Sequence, residues 1–207
     1  MTGKLVVLEG IDQSGKETQA RLLVRRLRWQ GHRTEKMSYP VYTSFSGREI
    51  GNFLEGRRSY PYQVLHMLYS MNRWESLSTL RKLVEDTDYL IVDRYYPSNI
   101  AYGSARGLDE QWLANLDRGL PEPQIVILVD TPVEASFTRK HSGRDVYERD
   151  RAFLQTVRKA YLRLAPRMGW KVVDGDGPFQ EVNESIWKTI FESTVRRPSR
   201  RRRISGK

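Results

Sequence analysis

LVVLEGIDQSGKETQ, residues 5–19, passes from an unbroken apolar run into a glycine-framed loop that ends in lysine, and then into helix-forming residues. Leu5, Val6, Val7 and Leu8 have the composition of a strand buried on both faces of a parallel sheet. From Gly10 to Gly15 and Lys16 the spacing fits G-x-x-x-x-G-K, in which successive backbone N–H groups turn inward around a polyphosphate. Lys16 is placed to reach the outer phosphates, and the helix behind it adds its positive dipole end. The residues assigned to nucleotide binding are therefore Gly10, Ile11, Asp12, Gln13, Ser14, Gly15, Lys16, Glu17 and Thr18. An ordinary glycine turn has no reason to sit between a buried strand and a helix.

The position after such a lysine ordinarily carries a Ser or Thr hydroxyl that ligates Mg²⁺, and here it is Glu17, with Thr18 one place on. A helix turns about 100° per residue, so Thr18 does not take over that position. Two readings of Glu17 stand. It is a first-turn acid favoured by the helix dipole, or its carboxylate meets the metal directly or through water.

At 207 residues the chain is long enough for one well-buried domain, expected over 1–195, followed by a basic tail. The absence of cysteine excludes a disulfide scaffold, a thiolate metal site and a cysteine nucleophile, and suits a reducing compartment. No stretch approaches the roughly 18 apolar residues of a membrane span, so a cytoplasmic protein without membrane contact is expected. Of the net charge of +10, seven basic groups lie in residues 196–207, which leaves +3 on the body. That Arg-, Pro- and Ser-rich segment has almost nothing apolar to bury and is expected to be disordered, with nonspecific nucleic-acid contact as its one plain use. No aromatic residue interleaves the arginines to stack a base.

Short apolar runs at 5–8, 34–39, 89–92, 125–129 and 171–173 alternate with helical patterns at 15–30, 62–84, 132–141, 146–165 and 179–194. That alternation predicts a five-stranded parallel sheet with helices on both faces, an α/β fold whose ligands gather beyond the carboxyl ends of the strands. At one such end Tyr89–Val92 runs into Asp93 and Arg94, an acid placed to hold Mg²⁺ and a base placed to neutralise a phosphoryl group. The plain alternative is a structural acid–base pair, and the neighbouring phosphate loop favours function. Arg139, Lys140, Arg144, Arg149 and Arg151 form a second basic cluster, mixed with Asp145, Glu148 and Asp150. It is a solvated surface, or a lid around 139–151 that closes arginines over the transferring group and excludes water. His32, His66 and His141 show no ligand spacing, and no chemistry is assigned to them.

Taken together, EGIDQSGKETQ at 9–19, YSMNRWE at 69–75, DRYYPSN at 93–99 with Ala101 and Tyr102, GLPEP at 119–123 and RDVYERD at 144–150 resemble the thymidylate kinase family over about residues 4–190. The resemblance implies a three-layer P-loop NTPase fold and transfer of the γ-phosphoryl group of ATP to dTMP with Mg²⁺, as a step of dTTP biosynthesis. It implies that Asp12 meets the sugar 3′-hydroxyl, Tyr69 stacks on thymine, and Arg73 reaches a thymine carbonyl or the acceptor phosphate. Ser98 and Asn99 match polar groups near the base edge, and Tyr102 the aromatic that crowds the 2′ position. Lys16, Arg94 and the lid candidates Arg144 and Arg139 would carry the reaction electrostatically, with Asp93 and Glu17 at the metal and Tyr147 and Glu148 as a lid-proximal pair. Gln13 stands where some members carry a basic residue, so the lid must supply the arginine. Where many members have an arginine for the acceptor phosphate this chain has Tyr42, and Arg48 is the nearest substitute. Members are usually homodimers, paired through helices that would include 62–84, although its apolar positions fit a core equally. Two alternatives remain: a kinase for another pyrimidine monophosphate or a deoxynucleoside on the same scaffold, and an ATP-regulated nucleic-acid-binding protein acting through the arginine tail.

Overall fold

The computed structural model describes residues 3–139 and 145–195, with side chains left out at 138, 139 and 193–195. The expectations for Lys140, His141, Arg144 and the 196–207 segment lie outside the described residues, as does the side chain of Arg139. Five strands form one sheet: β1 (Lys4–Glu9), β2 (Thr34–Ser38), β3 (Tyr89–Asp93), β4 (Ile125–Asp130) and β5 (Lys171–Asp174). All neighbours pair parallel, in the order β2-β3-β1-β4-β5. Among the described residues the helices are α1 (Lys16–Trp29), α2 (Phe45–Leu54), α3 (Tyr62–Glu75), α4 (Leu77–Asp86), α5 (Tyr96–Ala105), α6 (Glu110–Leu116), α7 (Val133–Arg139), α8 (Arg151–Met168) and α9 (Phe179–Val195).

Alternation along the strands divides the core in two. Val6 and Leu8 of β1 join Ile91, Ile127 and Val129 against Ala20, Leu23 and Leu27 of α1 and Val182, Ile186 and Ile190 of α9. Leu5 and Val7 face the other way, with Leu90, Val92, Val126 and Leu128, against α3, α4, α5 and α8. The period of two in a strand thus feeds both faces of a three-layer α/β/α sandwich. β1 lies between β3 and β4, so the loop after β1 opens where the connections diverge to opposite sides.

The five strands stand where the apolar runs put them, within a residue or two. Helices α2, α5 and α6 were not expected, and two of the expected helices differ. The 62–84 pattern is broken at Ser76, whose hydroxyl bonds back to the carbonyls of Asn72 and Arg73, both at 3.0 Å, while its own carbonyl accepts from Leu80 N–H. Helix α8 starts at Arg151 rather than Val146, because Asp150 caps it by accepting from Phe153 N–H. The preceding turn is held separately by Asp145, which accepts from the N–H groups of Tyr147 and Glu148.

The loop from Tyr39 to Ser44 crosses the start of α2 at close range. A Cβ on Gly47 would stand 1.9 Å from the Val41 carbonyl oxygen, a backbone atom with no room to give. Gly47→Ala is expected to destabilise the fold by roughly 1–3 kcal/mol, read as a drop of several degrees in the melting temperature; an unchanged melt would show the loop to be freely adjustable.

Candidate active site

The phosphate loop begins at Gly10, where φ is 153° and a Cβ would lie 2.7 Å from the Val129 carbonyl oxygen. Gln13 (φ 61°) and Gly15 (φ 88°) take left-handed conformations, which turn the loop around the start of α1. Lys16 is buried and donates to the Ile11 carbonyl at 3.1 Å, folded back across the loop. Burial and the Arg94 guanidinium push its pKa down, while Asp93, Asp12 and Glu9 pull it back up.

Arg94 follows β3 in a left-handed conformation, φ 65°. Its guanidinium donates to the Gly10 carbonyl (3.1 Å), Ser98 Oγ (3.2 Å), Tyr102 Oη (3.4 Å) and the Asp12 carboxylate. Asp12 accepts a second bond from Tyr102 at 2.7 Å. Burial alone would raise the Asp12 pKa, but the charges of Arg94 and Lys16 outweigh it and hold the carboxyl below its usual range. Beneath this cluster lies Glu9, fully buried at the end of β1, accepting from Tyr95 N–H (2.8 Å), Ser98 N–H (3.2 Å), Ser98 Oγ (2.5 Å) and Tyr161 Oη (2.9 Å). Burial raises its pKa. Its place at the end of the strand that feeds the loop was the one signal in the sequence for this role.

From Asp12 and Arg94 a cleft runs toward α3 and α5, lined also by Tyr42, Tyr69, Arg73, Ser98, Asn99, Tyr102, Asp145 and Tyr147. The structure therefore brings together most of the residues singled out for the acceptor. Within it, Arg73 is held by a buried, bidentate ion pair with Asp117, at 2.9 and 2.7 Å, and Ser70 donates to the same carboxylate. Ser98 lines the cleft with its hydroxyl engaged by Glu9, Arg94 and Tyr161. Arg48 is not brought in; its guanidinium donates to the Thr43 carbonyl on the exposed side of α2, and Tyr42 lines the cleft. Asp93 is buried, and its Oδ1 has no hydrogen-bond partner among the described residues. Glu17 is exposed on the first turn of α1. Of the basic cluster, Arg151 lies over the Phe137 ring, 4.3 Å from its centroid.

The segment after the undescribed residues is docked onto the cleft. Val146 N–H donates to the Leu54 carbonyl at 3.1 Å, Tyr147 packs on Phe53 and Tyr102, and Gln13 Nε2 donates to Glu148 at 2.5 Å. Burial and the nearby Asp12 push Asp145 up to about 6.

His66, to which the sequence assigned no chemistry, also lines the cleft. It is buried on α3 with Nδ1 2.6 Å from Asn99 Oδ1, and burial pushes its pKa down to about 4. In the unfolded chain the imidazole takes up a proton as pH falls past 6.5, whereas in the folded chain it does so near 4. The stability tied to neutral His66 is thus complete above 6.5 and lost as pH falls from there to about 4. Relative to His66→Asn, the chain is expected to lose about 3 kcal/mol of unfolding free energy between pH 7 and 4; denaturation curves of the two proteins that run parallel with pH would refute this.

Known proteins of one family resemble this chain over most of its length. The family model described as thymidylate kinase matches residues 8–186. The thymidylate kinase of Danio rerio is 34% identical over 196 residues, covering 93% of this chain and 92% of the relative. That of Homo sapiens is 30% identical over 197 residues, covering 94% and 92%. A solved structure of thymidylate kinase from Candida albicans superposes with a TM-score of 0.82 at 27% identity, covering 93% of each chain. With the phosphate loop, the buried Asp93 and Arg94 and the aromatic cleft in place, the chain belongs to the thymidylate kinase family.

Proposed function

We propose that this protein transfers the γ-phosphoryl group of ATP to dTMP, giving dTDP and ADP. The observation that carries the reading is the continuity of the site: the phosphate loop meets an aromatic cleft through Asp12 and Arg94, so donor and acceptor would face each other across one guanidinium. Phosphoryl transfer asks chiefly for alignment and charge neutralisation. On this reading the loop N–H groups and Lys16 hold the β- and γ-phosphates, and Arg94 draws the acceptor phosphate toward them. Tyr69 stacks on thymine, Arg73 and Asn99 meet its polar edge, Tyr102 crowds the 2′ position, and Asp12 orients the sugar. Arg139 and Arg144 are the lid arginines of the proposal.

The donor set fits Mg²⁺. That ion keeps several waters and takes one or two carboxylates besides phosphate oxygens, and the unpartnered Oδ1 of Asp93 is such a ligand. Glu17 would act through water from its exposed position. When bound, Mg²⁺ neutralises charge on the bridging phosphates. A cytoplasmic setting is part of the same reading, for a cysteine-free chain makes no oxidising demand on its compartment. Among the described residues no helix is long and apolar enough to cross a membrane.

A homodimer belongs to the proposal too. Val64, Met67, Met71 and Trp74 recur at helical spacing along α3 and are each about 40–50% exposed, an apolar stripe that pairing with a second copy would cover. In sedimentation the protein is expected to run as a dimer, and Met67→Glu with Met71→Glu as a monomer; a wild-type monomer would refute the pairing.

ADP release from Mg·ATP against dTMP, dUMP, UMP, dCMP and AMP tests the activity. Preferred turnover of dTMP is expected, with Lys16→Ala at least about 100-fold slower and a chain shortened by 196–207 unimpaired. Preference for another monophosphate would overturn the acceptor, and no turnover with any would overturn the reaction.

A further inference from the structure

At the cleft, two side chains fix each other's hydrogen-bonding roles. Asn99 Nδ2 donates to the backbone carbonyl of His66 at 3.3 Å, and Asn99 Oδ1 lies 2.6 Å from His66 Nδ1. A backbone carbonyl only accepts, so the amide must face it with nitrogen and face the ring with oxygen. An amide oxygen also only accepts, so Nδ1 must carry the ring proton. Burial keeps the imidazole neutral, which leaves Nε2 a bare lone pair, buried and without a partner among the described residues. The reversed amide would set oxygen against carbonyl oxygen, and would keep its bond to the ring only if the proton moved to the buried Nε2, where no acceptor stands among the described residues.

We propose that His66 is a positioning residue for acceptor specificity: by donating to Oδ1 it holds Asn99 with its second amide N–H available to the cleft, so that the pocket favours a pyrimidine carbonyl over a pyrimidine amino group. Asn99 has two amide hydrogens, and the His66 carbonyl engages one of them. The wall it shares with Arg73, whose side chain only donates, is therefore rich in donors. Thymine and uracil present a carbonyl at position 4, which complements an Asn99 donor. Cytosine presents an amino group there, donor against donor. Rejection by an unpaired buried polar group is a stronger discriminator than shape at an edge so alike in size. A free amide would rotate to suit either base, and the histidine denies it that choice.

The inference rests on the reading of the cleft as a dTMP site, and its test separates the two. kcat and KM are measured for dTMP and dCMP with the unaltered protein, His66→Leu and His66→Asn. His66→Leu is expected to cut the dTMP preference in kcat/KM by roughly 10–100-fold, through KM, with kcat for dTMP within about threefold. His66→Asn should restore most of the preference, since its amide nitrogen takes the place of Nδ1. A preference unchanged in His66→Leu overturns the inference and leaves the dTMP reading standing, whereas an unaltered protein that ignores dTMP overturns both. Should His66→Leu fail to fold, ¹⁵N NMR of the unaltered protein decides: a neutral ring protonated on Nδ1 supports the inference, and protonation on Nε2 overturns it.

Discussion

The guanidinium of Arg94 ties together the ends of two strands, a loop and a helix, and the catalytic end of the molecule rests on it. Arg94 N–H donates to the Leu8 carbonyl, so its backbone continues the pairing of β1 with β3 one residue past the sheet. The left-handed φ there is one that non-glycine residues seldom adopt, and the bonds made by the side chain hold it. Glu9, fully buried, and Asp12, partly buried, belong to the same network. A carboxylate taken out of water is costly unless it is paired and hydrogen-bonded, and the charge of Arg94 favours the ionised form of both acids. Apolar packing sets the middle of the sheet, whereas its carboxyl end is set by charge.

That arrangement leaves the cations in conflict. Lys16 is buried within reach of Arg94, and the repulsion adds to burial in lowering its pKa. On the reading of the loop as a phosphate site, a polyphosphate relieves both, because it brings the negative charge that two crowded cations require. Asp145 has the opposite problem, a carboxylate pushed up to about 6 by burial and by Asp12. The segment that carries it is held down by contacts from Val146 to Leu54, Tyr147 to Phe53, and Gln13 to Glu148.

The sheet was legible because each strand is a short, strongly apolar run, and the phosphate loop because its glycines have a steric reason to sit where they do. Helices α2, α5 and α6 were not, since their buried positions are largely Ser, Gly, Asn, Ala and Tyr, which give no apolar stripe. Asp93 and Arg94 stood out at a strand end, but Glu9 looked like one more strand residue until Tyr161, more than 150 residues away, donated to it. The partners of Arg73 and His66 escaped for the same reason. Asp117 follows the end of α6 and Asn99 lies on α5, and no local spacing announces a contact made by tertiary folding.

Residues 72–75 illustrate how a motif reads as binding when much of it is scaffolding. Asn72 accepts from Val41 N–H and donates to the Val41 carbonyl and to Ser44, which pins the loop that lines the cleft, while Glu75 accepts from Ser46 on the first turn of α2. Arg73 between them is clamped from the other side by Asp117. That loop delivers Tyr42 to the cleft and leaves Arg48 outside, bonded to Thr43. Among the described residues the cations lining the cleft are then Arg73 and Arg94, and the charge of Arg73 is already matched at close range by a buried carboxylate. Arg94 is shared with Asp12 alone among the cleft's acids and stands at the loop end. On the reading of the cleft as an acceptor site, the acceptor phosphate must therefore lean on the guanidinium that also braces the phosphate loop, which makes acceptor binding and donor alignment one electrostatic event.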